Sequence, residues 1–88
     1  MISISRGSVV NETDLIDALQ NNIIAGAALD VYANEPHVPE QIMSLDNVVL
    51  TPHIASGTSE TFNVMADLVF DNLQAFFNGQ PVITPVTQ

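Results

Sequence analysis

Residues 23–31, IIAGAALDV, form a continuous apolar run with its smallest side chains at the centre. A strand with one wet face alternates apolar and polar residues. A run without alternation suits a parallel strand covered on both faces. Gly26, Ala27 and Ala28 leave room for a helix or a ligand to approach closely.

The flanking residues supply further elements. Residues 2–5 read as a short β-branched strand end, with Gly7 as a turn. Asn11 is a good N-cap, and Glu12 and Asp14 follow in the first helical turn, where the macrodipole favours carboxylates. Leu15, Ile16, Ala18 and Leu19 form one stripe, and Asn21-Asn22 ends the helix. Beyond the central run, residues 32–39 read as loop and 39–45 as a short helix with proline in its first turn. Residues 47–50 read as a second buried strand, ended by Thr51-Pro52. Ser56-Gly57-Thr58 opens a long helix over 59–78 that Gly79 closes. Its apolar residues spread from the stripe of Phe62, Met65, Val69, Leu73 and Phe76 to Leu68, Phe70 and Phe77, so contact on more than one side is expected.

Strand, helix, strand, short helix, strand, long helix is the second half of a doubly wound α/β sheet of Rossmann type: about three parallel strands with flanking helices. Residues 1–80 read as that half-domain and 81–88 as an extended tail. No G-x-G-x-x-G is present, since the four glycines stand apart at 7, 26, 57 and 79.

Composition narrows the function. Apolar residues make up 47% and charged residues 12%, against roughly 25% charged in a typical soluble domain. That excess of apolar surface implies a fragment, or a module that assembles. The net charge is −9 with a single basic side chain, which excludes nucleic acid and anionic membrane surfaces as partners. Without cysteine there is no disulfide and no thiolate metal site, and no metal is expected. No leader or membrane-spanning segment is read, so the chain is placed in the cytoplasm.

That single basic side chain is Arg6, in a Ser-Arg-Gly turn. Glu35-Pro36 and Thr51-Pro52-His53 follow, in a loop and at a strand end. Such a trio could bind a carboxylate, hold an imidazole and move a proton. Amid so many acids, a lone cation among turn residues points to a site. Against this stand plainer roles: a surface arginine, a glutamate in a Glu-Pro turn, a histidine capping a strand. Spacing alone leaves open whether Glu35 and His53 meet. His37, between two prolines, reads as exposed.

Three stretches, SRGSVVNETDLIDAL, IAGAALDVYANEP and NVVLTPHIASGTSET, resemble the C-terminal part of the D-isomer-specific 2-hydroxyacid dehydrogenases. The resemblance covers essentially the whole chain, in order and spacing. It lies nearest the glyoxylate and hydroxypyruvate reductases, although phosphoglycerate and D-lactate dehydrogenases share the motifs. In the formate dehydrogenase branch glutamine stands where this chain has Glu35. The resemblance implies that Arg6 binds the 2-oxo acid carboxylate and polarises its carbonyl, that His53 is the acid/base, and that Glu35 is the carboxylate paired with it. Ser5, Arg6, Asp30, His53, Ser56 and Gly57 would contact NAD or NADP, Asp30 through the nicotinamide carboxamide. The plainer roles are a turn aspartate at 30 and helix capping at 56 and 57. Phe62 and Gln80 replace an arginine and a lysine common in relatives, neither at a catalytic position.

The expectation is therefore a fragment of an NAD(P)H-dependent reductase of small 2-oxo acids, inactive as the isolated chain and lacking the N-terminal part of the enzyme. A homo-oligomer is expected. The alternative is a non-catalytic truncated module that self-associates.

Overall fold

The computed structural model describes residues 1–87. It divides into two compact units, Met1–Ala55 and the residues from Ser56 onward. The first unit holds three short parallel strands, β1 (Ile2–Ser3), β2 (Ala27–Leu29) and β3 (Val48–Leu50), in the order β1-β2-β3. A 3-10 turn at Gly7–Val9 and helix α1 (Glu12–Gln20) connect the first pair, and helix α2 (Glu40–Met43) the second. The element order and parallel sheet are those expected from the sequence.

Strand β2 is shorter than its apolar run. Helix α1 starts on the Asn11 side chain, which accepts from the Asp14 N–H at 3.2 Å. It ends with Asn22 in the left-handed region, φ 53°. The Ile23 N–H then bonds back to the Ala18 carbonyl at 2.8 Å and the Asn22 N–H to the Leu19 carbonyl at 3.3 Å. This is a Schellman closure. Because it takes the Ile23 N–H, residues 23–26 belong to the helix stop and the strand begins at Ala27. Gly26 passes close to β3's lead-in, where a methyl group would stand 2.7 Å from the Asn47 carbonyl oxygen.

The register divides the sheet cleanly. Ser3, Leu29 and Leu50 stand in one row. On this side Leu15, Leu19, Ala27, Leu29, Tyr32 and Ile42 form the core. Both helices thus pack on one face. The alternate row is Ile2, Ala28 and Val49, and Ile2 and Val49 are 78% and 65% exposed. Within the first unit, the expectation of a strand covered on both faces is met on one face only.

The second unit contains helix α3 (Ser59–Phe77). Its cap is Thr58, whose hydroxyl accepts from the Thr61 N–H at 3.2 Å, so capping does not fall to Ser56 or Gly57. Gly79, at φ 71°, ends it, and the Gln80 N–H reaches the Ala75 carbonyl at 2.9 Å. Asn72 ties down the following segment, accepting from the Thr84 N–H at 3.0 Å. Phe62, Val69, Phe76 and Phe77 are exposed. The expected extended tail, 81–88, runs to Gln88, which lies outside the described residues. No helix among the described residues is long and apolar enough to cross a membrane.

Gly7 is the tightest point of the first unit. A methyl group there would lie 2.0 Å from both the carbonyl carbon and the oxygen of Tyr32. Backbone on both sides cannot rotate away as a side chain would. Gly7→Ala is therefore expected to destabilise the chain by at least the ~1–3 kcal/mol of ordinary overpacking. A urea titration followed by circular dichroism measures this, and an unchanged midpoint would contradict the close approach.

Candidate active site

Parallel strands place their C-terminal ends on one edge, and the sequence puts its polar side chains there. Arg6 follows β1 and Asp30 follows β2, with Tyr32 and Glu35 in the next loop. Thr51 and His53 follow β3. All lie within the unit Met1–Ala55.

Asp30 anchors this edge. It is 4% exposed, so its charge must be compensated inside the protein. One oxygen, Oδ1, accepts from the Thr51 hydroxyl at 2.6 Å and the Ile54 N–H at 2.9 Å; the other, Oδ2, accepts from the Ala55 N–H at 2.9 Å. The Thr51 hydroxyl and the Ile54 N–H, in that order, hold its carboxyl below the ordinary value. Between these partners stands His53, whose backbone is left-handed at φ 55°. A non-glycine residue there is strained by about 1–3 kcal/mol. Asp30 holds the two peptide groups that follow, so the strained turn keeps its shape.

His53 Nδ1 and Glu35 Oε2 lie 2.6 Å apart, the one ion pair among the described residues. The histidine bond, first, and the Tyr32 N–H, second, hold the Glu35 carboxyl below its ordinary value. An ionised carboxylate only accepts, so Nδ1 carries the proton. Nε2 has no protein partner among the described residues. With side chains 43% and 32% exposed, the pair is open to solvent on one side. It lines an open pocket of about 580 Å³ whose walls include Pro36, Val38, Met43, Leu50 and Pro52.

Tyr32, read from the sequence as loop, is buried and joins the parts together. Its N–H donates to Glu35 Oε1 at 3.0 Å, and its hydroxyl lies 2.7 Å from the Thr51 carbonyl and 3.1 Å from that of Leu29. Burial pushes its phenol up. The signal for this role was its position directly after the apolar run, where an aromatic body extends the core and its hydroxyl needs a partner. The sequence marks Thr51 only as a strand stop, yet its hydroxyl donates to Asp30.

Arg6 is exposed, and its Nη1 donates to the Ser5 carbonyl at 2.7 Å. It has no carboxylate partner among the described residues, although the chain carries ten acids. Ser5 is exposed beside it. The structure thus brings Glu35, His53 and Asp30 into one hydrogen-bonded network, with Arg6 at the same sheet edge but outside it. Ser56 and Gly57 belong to the second unit, and His37 is exposed.

The model of the D-isomer specific 2-hydroxyacid dehydrogenase NAD binding domain matches residues 1–55. The glyoxylate/hydroxypyruvate reductase A HPR2 of Arabidopsis thaliana is 56% identical over 86 residues, which cover 98% of this chain and 28% of that protein. The hydroxyphenylpyruvate reductase of Plectranthus scutellarioides is 54% identical with the same coverage. Among solved structures, the NADPH-dependent glyoxylate/hydroxypyruvate reductase of Sinorhizobium meliloti, in complex with NADP and malonate, superposes with a TM-score of 0.82 at 53% identity. That match covers 98% of this chain and 27% of the other. The chain therefore spans 28% of the Arabidopsis and Plectranthus relatives and 27% of the Sinorhizobium one.

Both network carboxylates have depressed folded-state values. Their contribution to stability is full above the ordinary values of 3.8 for Asp and 4.5 for Glu, and it is lost as pH falls through the lower folded ones. Asp30→Asn replaces one acceptor oxygen with a donor that faces N–H or O–H groups. We expect the variant to be less stable at pH 7 and to lose less stability between pH 5 and pH 3 than the wild type. Urea midpoints across that range test it; parallel acid limbs would remove Asp30 from the network's charge balance.

Proposed function

This chain belongs to the D-isomer-specific 2-hydroxyacid dehydrogenase family, and we propose that it is the C-terminal segment of an oxidoreductase that reduces small 2-oxo acids to D-2-hydroxy acids with NADH or NADPH. The observation that carries this reading is the Glu35–His53 pair at 2.6 Å, at the same sheet edge as Arg6; among the described residues the second imidazole nitrogen has no partner and the arginine no carboxylate. Glyoxylate and hydroxypyruvate are the proposed substrates, on the strength of the names of the Arabidopsis and Sinorhizobium relatives.

In this mechanism the Arg6 guanidinium forms two parallel bonds to the planar acid and polarises its carbonyl. The dinucleotide, when bound, supplies the hydride. As charge grows on the carbonyl oxygen, His53 Nε2 gives it a proton, and in the reverse direction takes it back. Glu35 keeps the imidazole oriented and offsets its positive charge. For Asp30 at the nicotinamide end of the cofactor the support is family resemblance, together with an Oδ2 that accepts one bond among the described residues, from the Ala55 N–H, and so has a second acceptor position. For contacts from Ser5, Arg6, His53, Ser56 and Gly57 to the cofactor, the support is family resemblance. No glycine-rich phosphate turn exists in this stretch, so the upstream part of the enzyme supplies it.

Ile2 and Val49, exposed on either side of the half-buried Ala28, support the same division of labour, since parallel sheets are covered on both faces. We propose that the upstream part covers this face and that the whole enzyme works as a cytoplasmic homo-oligomer. The isolated chain should then lack turnover with either cofactor and self-associate. Light scattering over a dilution series, with assays on the same material, checks both. A concentrated monomer, or activity abolished by His53→Ala, would contradict it.

In a full-length enzyme carrying this chain as its C-terminal segment, His53→Ala should cost roughly 10²–10⁴ in rate. Arg6→Lys keeps the charge and loses the planar fork, so KM should rise and kcat fall. The decisive comparison is kcat/KM for glyoxylate or hydroxypyruvate against a carbonyl compound without the carboxylate. Equal efficiency on both, or a lysine variant matching wild type, would remove Arg6 from its role.

A further inference from the structure

The Arg6 turn and the Glu35 loop come from different parts of the chain, and one peptide group joins them. The Tyr32–Ala33 peptide is held from two directions. Glu12 Oε2 accepts its N–H at 3.1 Å. Gly7 presses on its carbonyl, so closely that a methyl group would sit 2.0 Å from the carbonyl carbon and 2.5 Å from the Ala33 nitrogen. One peptide earlier, the Tyr32 N–H donates to Glu35 Oε1, while Glu35 Oε2 holds His53.

We propose that Glu12 is a positioning residue for the reaction: by gripping the Tyr32–Ala33 peptide against Gly7, it sets the Glu35–His53 pair relative to Arg6. Glu12 never touches the substrate in this arrangement. It acts through the loop that carries Glu35. The inference rests on the functional reading above for its kinetic consequence, and on geometry alone for its grip on the loop.

A purely helical role for Glu12 makes a different prediction. Acids in the first turn stabilise any helix through its macrodipole, and Asp14 occupies that turn too. Glu12 is distinguished by its reach to another element, whereas Asp14 is exposed. The Ala33 N–H gains a charged acceptor from Glu12, and a loop held only by water would sample other positions. Displacement of a catalytic pair by about 1 Å can cost up to ~10² in rate.

The test compares Glu12→Ala, Glu12→Gln and Asp14→Ala. Amide exchange at Ala33 is followed in the 88-residue chain, and kcat, KM and the pH profile with hydroxypyruvate in the full-length enzyme. Glu12→Ala should speed Ala33 exchange roughly ten-fold or more, the size of a lost bond to a charged acceptor. It should lower kcat about ten-fold, with a smaller change in KM and a displaced pH profile. Glu12→Gln keeps an acceptor oxygen and should recover most of both, and Asp14→Ala should resemble wild type. Unchanged exchange in Glu12→Ala, a glutamine variant as impaired as the alanine one, or an equal effect from Asp14→Ala would each overturn the proposal. If the wild-type enzyme turns over no 2-oxo acid, the functional reading fails, and Ala33 exchange still decides whether Glu12 holds the loop.

Discussion

A buried carboxylate at the end of the middle strand governs the geometry of this edge. Asp30 is nearly sealed from water, and its ionised form persists because a hydroxyl and two backbone N–H groups point at it. Those donors come from the segment after β3, so the same bonds that stabilise the charge fold that segment back toward β2. His53 lies inside the fold-back and takes up a left-handed backbone. Without an acceptor between strands, a histidine in that conformation would relax. The imidazole's position is thus a consequence of charge compensation one strand away.

From there the network extends in one direction. Tyr32 bonds near the Thr51 carbonyl and orients Glu35 with its N–H. Glu35 in turn fixes which imidazole nitrogen carries the proton. Each bond uses a group whose position the parallel sheet has already determined, which is why short strands suffice. The register places Ser3, Leu29 and Leu50 side by side, and the residues just beyond them emerge on a common edge. Arg6 differs from the others. It makes no ion pair among the described residues, and its one side-chain bond is to the neighbouring Ser5 carbonyl.

The sequence made the order of elements readable because local signals agreed with the fold. Asn11 caps α1, Thr51-Pro52 follows β3, and Gly79 closes α3, each for a backbone reason visible in the residue itself. The start of β2 was not readable. Ile23 and Ile24 look like strand residues, but Asn22 in the left-handed region turns the chain and spends the Ile23 N–H on the helix. Periodicity does not register a helix stop when the residues after it are apolar. The uncovered side of the sheet was hidden for a related reason: an unbroken apolar run indicates two apolar faces and says nothing of which polypeptide covers each.

The site was legible in its chemistry and illegible in its connections. Arg6, Glu35 and His53 stood out by residue type, and the family resemblance assigned them roles. Tyr32, Thr51 and Glu12 did not stand out, because a loop tyrosine, a strand-ending threonine and a helix-start glutamate have ordinary local explanations. Their part comes from contacts over long sequence separations: Glu12 reaches Ala33 across 21 residues and Thr51 reaches Asp30 across the same number. Sequence patterns report a residue's own element well and its partners on other elements poorly. The geometry of this edge therefore depends on residues that a motif search passes over, since the motif marks chemically distinctive groups, and the scaffold that holds them is written in contacts between distant elements.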